Sequence, residues 1–129
     1  DAIDLRKAPF VEQPALLAAA AVAVSPRVRC DGIPQKLLNY MAAGLPIVAF
    51  DGSAGPLRHE ATGLRVPGGD PVALAGAIER LLDDGALARA LGDAAREEVR
   101  REFTWANVAA RVEQVYRDTI ADAGTAREG

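Results

Sequence analysis

Apolar and polar positions along this chain change period abruptly, and each change marks an element. Asp1 to Val11 is mixed and reads as the tail of a strand followed by loop. Glu12 or Gln13 to Ala20 suits a short helix, with Pro14 in a first turn where a missing N–H costs nothing. Ala21-Val22-Ala23-Val24 is a compact apolar run, read as a buried strand, and Ser25 to Arg29 is its exit loop. Leu37, Leu38 and Met41 then recur at helical spacing behind Pro34, with Asp31 placed to cap. Gly44 suits the positive φ of a helix C-terminus, and Pro46 prevents continuation. Ile47-Val48-Ala49-Phe50 has the unbroken apolarity of a strand buried on both faces.

The second half changes character. Asp51 to Pro56 is turn-rich, Leu57 to Glu60 suits one helical turn, and Leu64-Arg65-Val66 is a small strand ended by Pro67-Gly68-Gly69. Asp70-Pro71 opens a helix as cap and first residue, with Leu74, Ile78, Leu81 and Leu82 on its apolar face. Asp83-Asp84-Gly85 breaks it. A second amphipathic helix runs from Ala86 to Glu102 with Leu87, Leu91 and Val99 inward. Thr104 caps a third, in which Trp105, Val108, Val112, Val115 and Ile120 alternate with charged residues; Ala121 to Gly129 reads as a frayed tail. Burial of Leu74, Ile78, Leu82, Trp105, Val108 and Val112 in one core is expected, with Trp105 as the anchor.

Strands alternating with helices predict an α/β fold, a Rossmann-like parallel sheet flanked by helices, with a helical C-terminal segment. The division is an α/β part over 1–69 and C-terminal helices over 70–122, in one partial domain spanning 1–129. The ligand edge of such a sheet is the carboxyl edge. Gly32 to Lys36, entering a helix there, offers free N–H groups and a positive dipole end to an anion, phosphate above all.

Composition narrows the function. With 129 residues, half of them hydrophobic, the chain can bury a core. A net charge of -3 argues against nucleic acid as a partner. The single cysteine, Cys30, excludes an internal disulfide and suits a reducing compartment, so a cytoplasmic location is expected. No apolar run is long enough to span a bilayer, no signal peptide is visible, and the first residue is Asp1 rather than Met, so a native start elsewhere is expected. No spacing of metal-ligating residues or hydrolytic triad stands out.

The order Ser25-Pro26-Arg27, Gly32 through Val48, Thr62-Gly63-Leu64, Val66-Pro67, Gly69-Asp70-Pro71 and Phe103-Thr104-Trp105 resembles the C-terminal domain of family 4 retaining glycosyltransferases, which have the two-domain GT-B fold. The resemblance covers roughly residues 12 to 120. It implies a domain binding a nucleotide diphosphate sugar as substrate, without metal or cofactor, and transferring a hexosyl group with retention. It implies an acceptor held by an N-terminal domain for which this sequence has no room, and no upstream strands carrying basic diphosphate contacts. Membrane association would be peripheral and through the full-length protein. In the family the last helix often crosses to the N-terminal domain, so apolar surface near Ala110 to Ile120 is expected to be bare or covered by a second copy.

The family carries two glutamates separated by seven residues. The matching positions here are Asp31, beside the transferred sugar and so the catalytic candidate, and Asn39, at the ribose hydroxyls. Asp31 keeps the charge on a shorter arm, and Asn39 loses it. A hydrogen bond to a charged group contributes about 1.5–3 kcal/mol against about 0.5–1.5 for a neutral one, so weakened donor binding is implied. With Asn39, the donor-binding candidates are Gly32, Ile33, Pro34, Gln35, Lys36 and Leu37. The N–H groups of Ile33, Gln35 and Lys36 are available to a diphosphate, and Pro34 has none.

Plainer readings stand beside these. Gly32 to Lys36 also fits an ordinary capped helix start, and Gly52 to Gly55 an ordinary turn rather than an anion nest. His59 suits a loop surface, Cys30 an inert buried thiol, and Arg96 to Glu102 a solvated helix face. Two other functions remain open: a non-catalytic nucleotide-sugar-binding or structural half-domain, and a GT-B relative such as a sugar-nucleotide epimerase.

Overall fold

The structure, a computed structural model, describes residues 7–125. The expectations for Asp1 to Arg6 and for residues 126–129 lie outside the described residues. A 3₁₀ turn at Phe10–Glu12 leads into α1, Gln13–Ala18. The helix stops short of Ala20 because the Ala19 and Ala20 N–H groups reach back to the Leu16 and Leu17 carbonyls, tightening the last turn. β1 is Ala23–Ser25, later than the apolar run that announces it. Its limits come from its partner: Ala23, Val24 and Ser25 pair with Ile47, Val48 and Ala49 of β2, Ile47–Phe50. β3, Leu64–Val66, joins the far side of β2, giving a parallel sheet of order β1-β2-β3.

β2 is central and wholly buried, and its alternation divides the core. Ile47 and Ala49 lie with Ala23, Leu45, Leu57 and the Leu37 and Met41 side chains of α2, Gln35–Ala42. Val48 and Phe50 lie with Leu64, Val66 and with Leu81 of α3, Pro71–Asp83. α4, Gly85–Glu102, serves both: Ala95 packs on the first cluster, Ala88 and Leu91 on the second. Each large side chain so buried contributes about 1.5–3 kcal/mol of transfer free energy. The result is an α/β fold with helices on both faces of a parallel sheet.

Helix boundaries follow local chemistry. Gly44, at φ +72, ends α2. Asp70 accepts from the Val72 and Ala73 N–H groups at 3.0 Å, and Pro71 is the first residue of α3. Asp84 caps α4 through the Leu87 N–H at 2.9 Å. Thr104 Oγ1 accepts from the Asn107 N–H at the start of α5, Trp105–Thr125. α5 continues through Thr125, where a frayed tail is expected after Ile120.

Three expectations need correction. Leu57 to Glu60 is not a helical turn; the 3₁₀ turn stands earlier, at Asp51–Ser53. The buried Thr62 hydroxyl takes the Arg58 N–H at 2.9 Å, and His59 bridges to Gly63, which folds the segment as a loop. Leu82 is exposed because it lies about 100° round the helix from the buried Leu81, and both cannot face the sheet. Trp105 is 87% exposed, and Val108 and Val112 are exposed too, so Trp105 anchors nothing. Leu74 and Ile78 are half-buried. The stripe on α5 has the right period, but no described residue stands opposite it. The apolar surface from Ala110 to Ile120 is bare, one of the two outcomes that the family resemblance leads to expect. Among the described residues no helix is long and apolar enough to cross a membrane.

Candidate functional site at the open end of α2

Because the strands are parallel, all three leave the sheet at one edge. The loop 26–34 follows β1, the turn Asp51–Ser53 follows β2, and Pro67 to Asp70 follows β3. The Cys30 N–H donates to the Gly52 carbonyl at 2.9 Å, tying the first loop to the second. Gly52 has no alternative here, since a Cβ would collide with the Val28 carbonyl oxygen. Gly68 approaches Val28 from the third loop. Arg65 braces the second loop, donating from Nε to Asp51 Oδ1 at 3.0 Å.

α2 begins at this edge. Pro34 is its N-cap, with ψ 116, one position earlier than the first turn predicted for it. It offers no side-chain cap, and its carbonyl takes the Leu37 N–H at 3.0 Å. Among the described residues the Gln35 and Lys36 N–H groups have no acceptor, so the positive end of the helix stays open. Ile33, Gln35 and Lys36 are exposed. Gly32 takes φ +79, a conformation that favours glycine, with open space beside it.

Two candidates are placed otherwise than the sequence suggests. Asp31 is not the cap of α2: its carboxylate lies in solvent 3.7 Å from Arg29 Nε. Leu37 is fully buried and its N–H is already used, so it holds the turn from beneath and presents nothing at the edge. Cys30 is half-buried rather than buried, and two of the plainer readings fit directly. Gly52 to Gly55 lies in a turn closed by the Ala54 N–H on the Asp51 carbonyl at 3.4 Å. The exposed His59 accepts the Arg65 N–H through Nδ1 at 3.0 Å.

Asn39 stands one turn along α2, where it lines a groove of about 370 Å³ between α1 and α2. Phe10, Pro14, Leu17, Ala42 and Ala43 line it too, and a smaller hollow beside it is shared by Lys36, Asn39 and Tyr40. The fold thus brings Asn39 and Lys36 together at the α2 start, with Asp31 outside both linings. The groove is the part that sequence reasoning missed. Its signal is the spacing Asn39-Ala42-Ala43, a small-residue face beside the buried Leu37–Met41 face, which only an opposing α1 turns into a cavity. Among the described residues no group of three or more His, Cys, Asp or Glu is arranged to hold a metal ion.

A parallel sheet with helices on both faces, open at its carboxyl edge beside an uncapped helix, defines a Rossmann-like α/β domain. Residues 5–84 match the family described as glycosyl transferases group 1, and the chain belongs to that family. It is 43% identical over 95 residues to a D-inositol 3-phosphate glycosyltransferase of Corynebacterium diphtheriae, covering 74% of this chain and 20% of that protein. It is 42% identical over 83 residues to an exopolysaccharide phosphotransferase of Streptomyces coelicolor, covering 62% of this chain and 9% of that protein. Among solved structures it resembles sucrose-phosphate synthase of Thermosynechococcus elongatus, with TM-score 0.73 and 37% identity, over 83% of this chain and 27% of that one. The fold is that of part of a GT-B glycosyltransferase. The chain spans less than a third of the length of each of these proteins.

Proposed function

We propose that this chain is the nucleotide-sugar donor-binding part of a retaining glycosyltransferase that moves a hexosyl group from a nucleotide diphosphate sugar. The observation that carries the proposal is the uncapped start of α2 at the carboxyl edge, continued by the Asn39 groove. The Gln35 and Lys36 N–H groups, with the Ile33 N–H and the Lys36 ammonium, take the diphosphate. Donors already in place there stabilise the charge that develops as the sugar departs. Asn39 lies about 6 Å further along the helix axis, the reach from a diphosphate to a ribose. It hydrogen-bonds the ribose hydroxyls, and the groove beyond it takes the base. Gly32 and Pro34 shape the entry, and Asp31 stands nearest the transferred sugar. The acceptor is held by a further domain, so the isolated chain binds donor without transferring it.

Two observations favour a second reading, binding without chemistry. Asp31 turns to Arg29 in solvent, and Asn39 is neutral where the family carries a carboxylate.

Titration of the chain with UDP- and GDP-sugars, followed by amide shifts, tests the proposal. Shifts across Asp31 to Asn39 and along the α1–α2 groove at millimolar ligand are expected, a binding free energy of about -4 kcal/mol. Asn39→Glu should tighten binding. Unchanged affinity on that substitution removes Asn39 from the site, and turnover by the chain alone would overturn the two-part reading, because transfer depends on holding donor and acceptor in register.

A further inference from the structure

The connection from β2 to β3 meets the open start of α2 at two glycines. At Gly52 its carbonyl takes the Cys30 N–H at 2.9 Å. At Gly55 its backbone lies against α2, where an added methyl would stand 3.0 Å from Pro34 Cδ and 3.5 Å from Leu37 Cδ2. Beneath these contacts Ala54 and Leu57 are buried. Apolar burial holds the loop down but is non-directional, so it does not fix where the loop sits along α2.

One side chain supplies that direction. Arg65 of β3 pairs with Ala49 of β2, which sets its half-buried side chain on the α2 face of the sheet. Its guanidinium reaches both ends of the 51–57 loop. Nε donates to Asp51 Oδ1 at 3.0 Å and Nη2 to the Asp51 carbonyl at 3.5 Å. Nη1 donates to the Leu57 carbonyl at 3.4 Å. A rigid planar fork can serve both ends at once, whereas the compact ammonium of a lysine serves one. We propose that Arg65 is a positioning residue for the nucleotide-sugar site. By clamping the 51–57 loop it sets the seat of Cys30, Pro34 and Leu37, and so the direction in which the Gln35 and Lys36 N–H groups point. What binds there rests on the donor-binding reading; the clamp itself does not.

Amide hydrogen exchange of the 129-residue chain without ligand tests the clamp. Arg65→Leu should speed exchange of the Cys30 N–H about tenfold more than that of the buried Leu81 and Leu91, through local opening of the loop. Asp51→Ala should reproduce part of this effect and add little to Arg65→Leu, since both remove one contact. Arg65→Lys should fall between native and Arg65→Leu. In titrations with UDP-glucose and GDP-mannose, Arg65→Leu should also weaken binding severalfold, read from the Gln35 and Lys36 amide shifts. Equal acceleration at Cys30, Leu81 and Leu91 would make Arg65 a general stabiliser and overturn the proposal. So would an unchanged Cys30 rate, or a native chain and Arg65→Leu that bind equally well. A native chain that binds neither compound overturns the donor-binding reading instead, and the exchange rates still decide the clamp.

Discussion

α2 and α3 both start at the carboxyl edge of the same sheet, and both have a proline at or next to the N-cap. Their ends are nonetheless opposite in kind. α3 is closed by Asp70, which takes the Val72 and Ala73 N–H groups. α2 has no side-chain cap, and its first donors face outward. The difference lies beneath each first turn. Leu37, the third residue of α2, is completely buried, whereas Ala73, the third residue of α3, is a small side chain only half-buried. A first turn held from below by packing can leave its donors free. A first turn held by a smaller, half-buried side chain leans more on its cap. The opening where an anion would sit is therefore sustained by an apolar side chain on the opposite side of the backbone.

The comparison can be broken most severely at Leu37. Leu37→Ala should cost about 2–5 kcal/mol, the usual loss for a buried leucine, measured as a lower urea midpoint at unchanged slope. Nucleotide-induced amide shifts at Gln35 and Lys36 should vanish with it. Closing α3 is worth less. Asp70→Ala should cost about 1 kcal/mol by the same measurement and leave nucleotide binding alone.

Pro34→Ser sharpens the comparison by giving α2 the cap it lacks. The new hydroxyl satisfies a first-turn N–H, worth up to about 1 kcal/mol, while the loss of proline frees the unfolded chain by about 0.4–1 kcal/mol. Stability should hardly move, yet diphosphate affinity should fall severalfold in the same titration, because a donor has been taken.

The smallest effect sits behind the last turn of α3, where Arg80 bonds Glu60 at 2.6 Å. That hydrogen bond and the Arg80 charge, aided by His59, hold the Glu60 carboxyl below its ordinary value of 4.5. A folded pKa below the unfolded one adds stability above the unfolded pKa, and that stability fades as pH falls through the folded one. The urea midpoint of the native chain should exceed that of Glu60→Gln by a small margin at neutral pH. The margin should close under acid.

Much of the α2–β2 unit was legible in the sequence because its signals are local. Pro34, Gly44 and Pro46 act on their own backbone, and Ile47 to Phe50 carries its burial in its composition. Asp70 and Thr104 are legible as caps for the same reason. The turn at Leu57 to Glu60 was not, because the hydroxyl that shapes it belongs to Thr62 and leaves no period behind. The open edge of the candidate site was legible as far as Gly32 to Lys36, and the inward Leu37 through the apolar period of α2, but the Arg29 contact of Asp31 and the α1–α2 groove were not.

By itself the sequence determined the longer helices, the central strand and which of their faces are apolar, since dihedral preference, capping and periodicity are properties of neighbours along the chain. Tertiary structure alone decided the extent of β1, the exposure of Trp105 and the α5 stripe, and the groove beside Asn39. Each needs a partner surface distant in sequence: β2 to set the register of β1, α1 to wall the groove, and an opposing element to bury α5. An apolar period states which face seeks cover; only packing in three dimensions decides whether cover is there.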